Sequence, residues 1–251
     1  MALPVASCPA DWPSAAPDLY GRVVVITGAS GGLGQAIARQ AAAAGAEVVL
    51  VGRKVVAMER LYDDIEAAGG KAALYPLNLG GANPDDYAEF AASVVGQCGG
   101  IDALVFASAH LRGLCGVERS PVDDWLAALH INLSAPFLMT QACLPHLQAR
   151  PDAAVVFTVN GPEATSGAYW GGYGVAQAGL AQFASMLHDE TDTGAVRVHA
   201  LDPGPMRTAL RQRVWFSEDP STVPTPDRAA RAVTALLGSE GAAWRGRLLR
   251  L

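Results

Sequence analysis

Tyr173 and Gln177 stand four positions apart in the stretch GGYGVAQAG, residues 171–179. In a helix, side chains at that offset share a face. A tyrosine followed at this distance by a lysine makes a proton-transfer pair, because the ammonium favours the phenolate and lowers the phenol's pKa. Here the second position holds a neutral amide. An unperturbed tyrosine titrates near ~10. At neutral pH, Tyr173 is therefore available as a general acid and useless as a base. A second stretch with chemistry in it is TGASGGLG, residues 27–34. Its glycines let a chain turn tightly and bring backbone close to a pyrophosphate, while the N-terminus of a following helix offers free N–H groups to the anion.

These residues need a scaffold, and the hydrophobic pattern supplies one. Apolar runs rich in Val, Ile and Leu alternate with longer helical patterns. Strands are expected at 22–27, 46–51, 71–77, 101–107, 152–159 and 195–201, with GRLLRL closing the chain as a seventh. Helices are expected after the glycine loop, at 54–70, at 85–99, across 122–149 with Pro136 and Pro145 punctuating it, at 171–190, and toward 238. Strands that are apolar on both faces and separated by helices mean a parallel sheet covered on both sides. The expected fold is α/β: a single-domain Rossmann-type three-layer αβα sandwich with a seven-stranded parallel sheet over residues 20–251. The preceding Pro- and Ala-rich segment 1–19 reads as a mobile or surface-hugging arm, without the basic start and unbroken apolar core of a signal peptide.

The glycine spacing is GxxxGxG rather than the GxGxxG of the general dinucleotide fold. With TGAS in front, INLSAPF at 131–137 and DPGPMRT at 202–208, the chain resembles the short-chain dehydrogenase/reductase family from Tyr20 to Leu251. The resemblance implies a nicotinamide cofactor held by Gly28, Ser30, Gly32, Leu33, Gly34, Asn78, Leu79 and Ala107. It further implies that Pro203 and Gly204 shape a turn from which Thr208 holds the nicotinamide carboxamide, with Tyr173 and Gln177 near the ribose. After the second strand the sequence reads VLVGRK, with Gly52 where an acidic residue would bond the ribose hydroxyls, then Arg53. A guanidinium pairs bidentately with phosphate, so NADP(H) is expected over NAD(H).

The same resemblance implies a catalytic set of asparagine, serine, tyrosine and lysine. Asn132 and Tyr173 match it. The serine position is Asn160 and the lysine position is Gln177, so the tetrad is degenerate. The family's NNAG reads FASA here, residues 106–109. Reduction of a small carbonyl, in which tyrosine donates a proton, is less damaged by these changes than oxidation of an alcohol. The competing expectation is an inactive nucleotide-binding homologue serving as sensor, subunit or scaffold. His110 faces either the nicotinamide pocket or a packing role. Tyr169 and Trp170 line the substrate cleft or pack in a core or interface, and 205–225 is expected to act as a substrate lid.

Composition narrows the rest. The 251 residues carry a net charge of −6, which argues against nucleic acid as partner. No apolar run reaches membrane-spanning length. Four scattered cysteines without CxxC spacing suggest reduced thiols and a cytoplasmic location, and the dispersed histidines suggest no metal site. By resemblance, the two long helices near 134–149 and 171–190 pair in a homodimer or homotetramer, with Gly174, Ala176, Ala178 and Ala181 allowing close approach.

Overall fold

The computed structural model describes residues 2–9 and 11–251. Eight parallel strands form one sheet in the order β1-β8-β7-β6-β5-β2-β3-β4. They are β1 (Val5–Ser7), β2 (Val23–Thr27), β3 (Glu47–Gly52), β4 (Lys71–Pro76), β5 (Ala103–Phe106), β6 (Ala153–Thr158), β7 (Val196–Asp202) and β8 (Leu248–Arg250). The helices are α1 (Gly32–Ala43), α2 (Val55–Ala67), α3 (Pro84–Cys98), α4 (Val122–Leu129), α5 (Ala135–Gln148), α6 (Pro162–Thr165), α7 (Gly171–Thr191), α8 (Ala209–Val214) and α9 (Asp227–Leu237).

The central strands are buried on both faces because every position in them is apolar or satisfied. In β2, Val23 and Val25 join the core under α3, α5 and α7, while Val24 and Ile26 join the core under α1, α2 and α9. The first core is filled by Tyr87, Phe90, Met139 and Leu180. The second is filled by Ile37, Met58, Leu61 and Val233. Helix α3 starts where Asn83 accepts from the backbone N–H groups of Asp85 and Asp86, and the Asp86 carboxylate accepts from the Asn83 N–H. This reciprocal cap satisfies donors that the first turn would otherwise leave open.

Three expectations need correction. The sheet has eight strands, not seven. The extra one, β1, comes from the segment expected to be a loose arm; it pairs in parallel with β8 through Val5↔Leu248 and Ser7↔Arg250. Open backbone groups on the edge of β8 give a short segment ladder partners that its own sequence does not advertise. Leu3 and Cys8 are buried alongside it, while Met1 and Ala10 lie outside the described residues. Second, Pro145 does not interrupt the long helical region, since α5 runs through it; the break is instead a π turn at His130–Ser134 joining α4 to α5. Third, Ala176 is buried within its own chain, and a Cβ on Gly174 would meet the Thr165 carbonyl oxygen at 2.6 Å. Gly174 and Ala176 thus pack inside the chain, whereas Ala178 is exposed and Ala181 half-buried. The outer surface of α4, α5 and α7 instead shows Leu126, Phe137, Val175 and Met186.

Strand order reverses between β2 and β5. The chain goes outward through β3 and β4, then returns to place β5 on the other side of β2. In an open α/β sheet the crevice beyond the C-terminal ends of such a strand pair is where ligands bind.

Candidate active site

The loop leaving β2 is pressed against the loop leaving β5. Gly28 has φ of +69°, and a Cβ there would lie 2.7 Å from the Ser108 Cα and backbone nitrogen. Thr27 Oγ1 and Ser108 Oγ are 3.1 Å apart, a second tie between the two loops. A Cβ on Gly34 would lie 2.3 Å from the Gly28 carbonyl oxygen, so the first turn of α1 folds directly onto the loop. No side chain caps the start of α1. Its N–H groups are left for an anion, which the helix dipole favours.

Above this crevice lies a cavity of about 280 Å³. Of the expected cofactor residues, Gly28, Ser30, Gly32, Leu33, Arg53, Asn78, Leu79, Ala107, Tyr173, Gln177, Pro203 and Thr208 line it. Gly34 and Gly204 do not. Gly34 acts from beneath the loop, and Gly204, with φ of +67°, donates its N–H to Asp202 Oδ1 at 3.2 Å in the turn after β7. Thr208 Oγ1 also caps α8 by accepting from the Arg211 N–H. Arg53 and Lys54 follow β3 and have no carboxylate paired with them among the described residues. The cavity wall therefore suits a dinucleotide with a phosphate on its adenosine ribose: a tight glycine loop, open helix N–H groups and two free cations.

At the other end, Tyr173, Asn160 and Gln177 meet. Tyr173 and Gln177 lie one turn apart on α7 and are 3% and 4% exposed. Asn160 comes from the exit of β6, which Thr158 secures by donating from Oγ1 to the Phe106 carbonyl at 2.7 Å. Asn160 Nδ2 donates to the Tyr173 hydroxyl oxygen at 2.8 Å. The Asn160 backbone N–H donates to Gln177 Oε1, also at 2.8 Å. The two substituted positions thus bond to each other and to the tyrosine. Since the Tyr173 oxygen accepts from Asn160, the tyrosine's own proton is free to be donated into the cavity that its side chain lines.

Burial pushes the Tyr173 pKa well above the ordinary phenol value, the Asp202 carboxylate pushes it further the same way, and the bond from Asn160 opposes both more weakly. Asp202 is held behind the site by the Gly161 N–H at 3.0 Å and by Gly204. Its negative charge does the reverse of what a lysine does. The group is an acid at neutral pH.

Asn132 sits in the π turn, behind the cavity wall. Its Oδ1 accepts from the His110 N–H at 2.7 Å, and its Nδ2 donates to the carbonyls of His110 and Ala128, both at 2.8 Å. It fixes the loop after β5. A π turn at such a position is a frequent device for aiming a functional side chain. His110 lines the cavity, and its Nε2 is buried without a partner. Burial lowers its pKa; Asp124 opposes this, and Arg53, Arg213 and Arg112 add to it.

Trp170 packs 5.9 Å from the Tyr173 ring and 5.8 Å from Trp215, which ends α8. The expected lid segment is thereby docked beside the tyrosine. Arg211 reinforces it with a bidentate pair to Glu218 and by lying 4.3 Å over the Trp215 ring. A smaller cavity of about 40 Å³, lined by Tyr169, Trp170 and Trp125, shares His110 and Tyr173 with the main one. Sequence reasoning missed Lys54, Thr158, Ile131, Met206 and Arg213 as lining residues. Lys54 had a signal in its place beside Arg53. Arg213 had only its place in the expected lid, because its position depends on how that segment packs.

All four cysteines are free thiols. Among the described residues, no group of three His, Cys, Asp or Glu is placed to hold a metal ion, and no helix is long and apolar enough to cross a membrane.

Comparison with known proteins gives a consistent picture. Residues 22–219 match the family described as short chain dehydrogenase. The uncharacterized oxidoreductase YciK of Escherichia coli K12 is 28% identical over 209 residues, covering 83% of this chain and 82% of its own. A short chain dehydrogenase from Pseudomonas syringae superposes with a TM-score of 0.89 at 33% identity, over 94% of this chain and 96% of its own. Another from Shigella flexneri, solved in complex with NADP, superposes with a TM-score of 0.89 at 27% identity, over 94% and 99% of the two chains.

Proposed function

The chain belongs to the short chain dehydrogenase family, and from that premise we propose that it is an NADP(H)-dependent oxidoreductase that reduces a small carbonyl compound to the alcohol. The observation that carries the direction is the Asn160–Tyr173 hydrogen bond, which engages the tyrosine oxygen as acceptor and leaves its proton to give. NADPH, when bound, supplies a hydride to the carbonyl carbon. Tyr173 delivers its proton to the carbonyl oxygen. Asn160 keeps the phenol oriented, and Gln177 fixes Asn160 through its backbone N–H. The phenolate formed regains a proton from water in the cavity. No ammonium stabilises the phenolate as it forms, so proton donation and turnover are slow, and alcohol oxidation, which needs the phenolate beforehand, is slower still. Steady-state assay of NADPH oxidation with a panel of aldehydes and ketones tests the reading; an enzyme that oxidises alcohols at neutral pH faster than it reduces the matching carbonyls would refute it. A non-catalytic role as sensor or subunit has no specific observation in its favour.

Preference for NADP(H) over NAD(H) is assigned to Arg53, with Lys54 beside it. Both are free of acidic partners, and the NADP complex of the Shigella flexneri relative is consistent with the choice. Hydrogen bonds to a charged group contribute about 1.5–3 kcal/mol. Arg53→Gln is therefore expected to weaken NADPH about 10- to 100-fold while changing NADH less than about threefold, as read by titration of cofactor fluorescence.

We further propose a homodimer or homotetramer in the cytoplasm, formed through the face carrying Leu126, Phe137, Val175 and Met186. Sedimentation equilibrium should give a multiple of the 26.0 kDa chain. Replacing Phe137 and Val175 together by Glu should return it to one chain.

A further inference from the structure

The wall of the main cavity holds no carboxylate among the described residues, although the chain has 24 acidic and 18 basic residues. Its fixed charges are Arg53, Lys54 and Arg213. The first two follow β3 and are accounted for by the cofactor's phosphate. Arg213 is not. It sits on α8, in the segment docked over the site, and its Nη1 donates to the Leu111 carbonyl at 3.1 Å. That bond anchors the guanidinium beside the residue that follows His110. Arg213 lines the main cavity together with His110 and Tyr173, and its bond to Leu111, next to His110, ties it to the loop after β5 rather than to the end of β3. Among the described residues no acidic side chain pairs with Arg213, and its one hydrogen bond uses only one of its five donors. Beside it, His110 Nε2 is buried without a partner and becomes a donor in its Nε2–H tautomer.

We propose that Arg213 determines specificity: the substrate is a carbonyl compound carrying a carboxylate or phosphate group, which Arg213 binds with His110 as a second donor. The proposal rests on the reductive reading above. A site built to bond a charged group discriminates strongly against an analogue that lacks it, because its donors are then left unpaired.

The test compares benzoylformate with its methyl ester, which differ in charge at the same carbonyl, using NADPH and the full chain. The wild type should prefer benzoylformate by about 100-fold in kcat/KM. Arg213→Gln should reduce that preference below about threefold through loss of the acid substrate, Arg213→Lys should keep part of it, and NADPH affinity should hold in both. Competitive inhibition by benzoate against that by inorganic phosphate separates the two kinds of anion. A wild-type preference for the ester overturns the proposal. So does a fall in NADPH affinity in Arg213→Gln as large as the fall in activity, which would move Arg213 to the cofactor. If neither probe is reduced although NADPH binds, the reductive reading fails for these probes, and calorimetry decides the present one separately. Benzoylformate binding to the NADP⁺ complex that disappears in Arg213→Gln sustains it, and no binding to the wild-type complex overturns it.

Discussion

Tyr173→Phe is expected to lower kcat/KM for carbonyl reduction by about 10²–10⁴, the contribution of a positioned general acid, while leaving NADPH affinity within a few fold. The ring is 3% exposed and packed against Trp170, so phenylalanine fills the same space. What is lost is the hydroxyl, and with it the partner of Asn160 Nδ2. Asn160 lines the cavity, so water can replace that bond and the stability change should stay near about 1 kcal/mol. Measuring melting temperature, NADPH affinity and turnover on one preparation separates chemistry from folding. The pH profile adds a second check. Burial and Asp202 raise the Tyr173 pKa, so the protonated, active form persists through neutral and mildly alkaline solution. No loss of activity assignable to Tyr173 should occur below about pH 10, the unperturbed value. An alkaline limb near pH 8 that vanishes in Tyr173→Phe would mean that a cation reaches the phenol after all.

Gly34→Ala is expected to cost the cofactor site as a whole. The added methyl would sit 2.3 Å from the Gly28 oxygen and 2.8 Å from the Gly28 carbonyl carbon. Both are backbone atoms of a loop whose other side already touches Ser108, so the collision cannot be relieved by turning a side chain. Overpacking of this kind costs about 1–3 kcal/mol or more. The loop must also open at the place where a pyrophosphate would approach. NADPH and NADH should both weaken by about 100-fold, about 2.7 kcal/mol. The loss of both distinguishes this change from Arg53→Gln, which acts on one. A Gly34→Ala protein that binds NADPH normally would show that the loop does not have to hold this shape.

Much of this was legible in the sequence. The all-apolar run at β2, the glycine spacing after it and the alternation of strands with helices are local signals, and local physics decides them. The same holds for Arg53, which comes at a fixed place after β3. The relation among Asn160, Tyr173 and Gln177 was legible only as a set of departures. Two lost residues look like decay in a linear sequence. In space, the amide at 177 accepts from the backbone at 160, whose side chain in turn supports the tyrosine, and no propensity or period encodes that. Arg213 was legible only as part of an expected lid, because its own role depends on the docking of Trp215 against Trp170, a contact between segments 45 positions apart. Strand β1 was missed for a related reason: three residues have little tendency of their own to extend, and they extend because β8 presents an open edge.

That pairing of β1 with β8 has a temporal side. Strand β1 is made long before its place in the sheet exists, since its partner follows about 240 residues later. Until then the first strand has nowhere to go, and closing so long a loop adds only slowly to the entropy cost as its length grows. Docking of β1 therefore waits for the synthesis of β8. A nascent chain stalled before residue 248 would keep both the β1 segment and the edge of β7 open to proteases and chaperones.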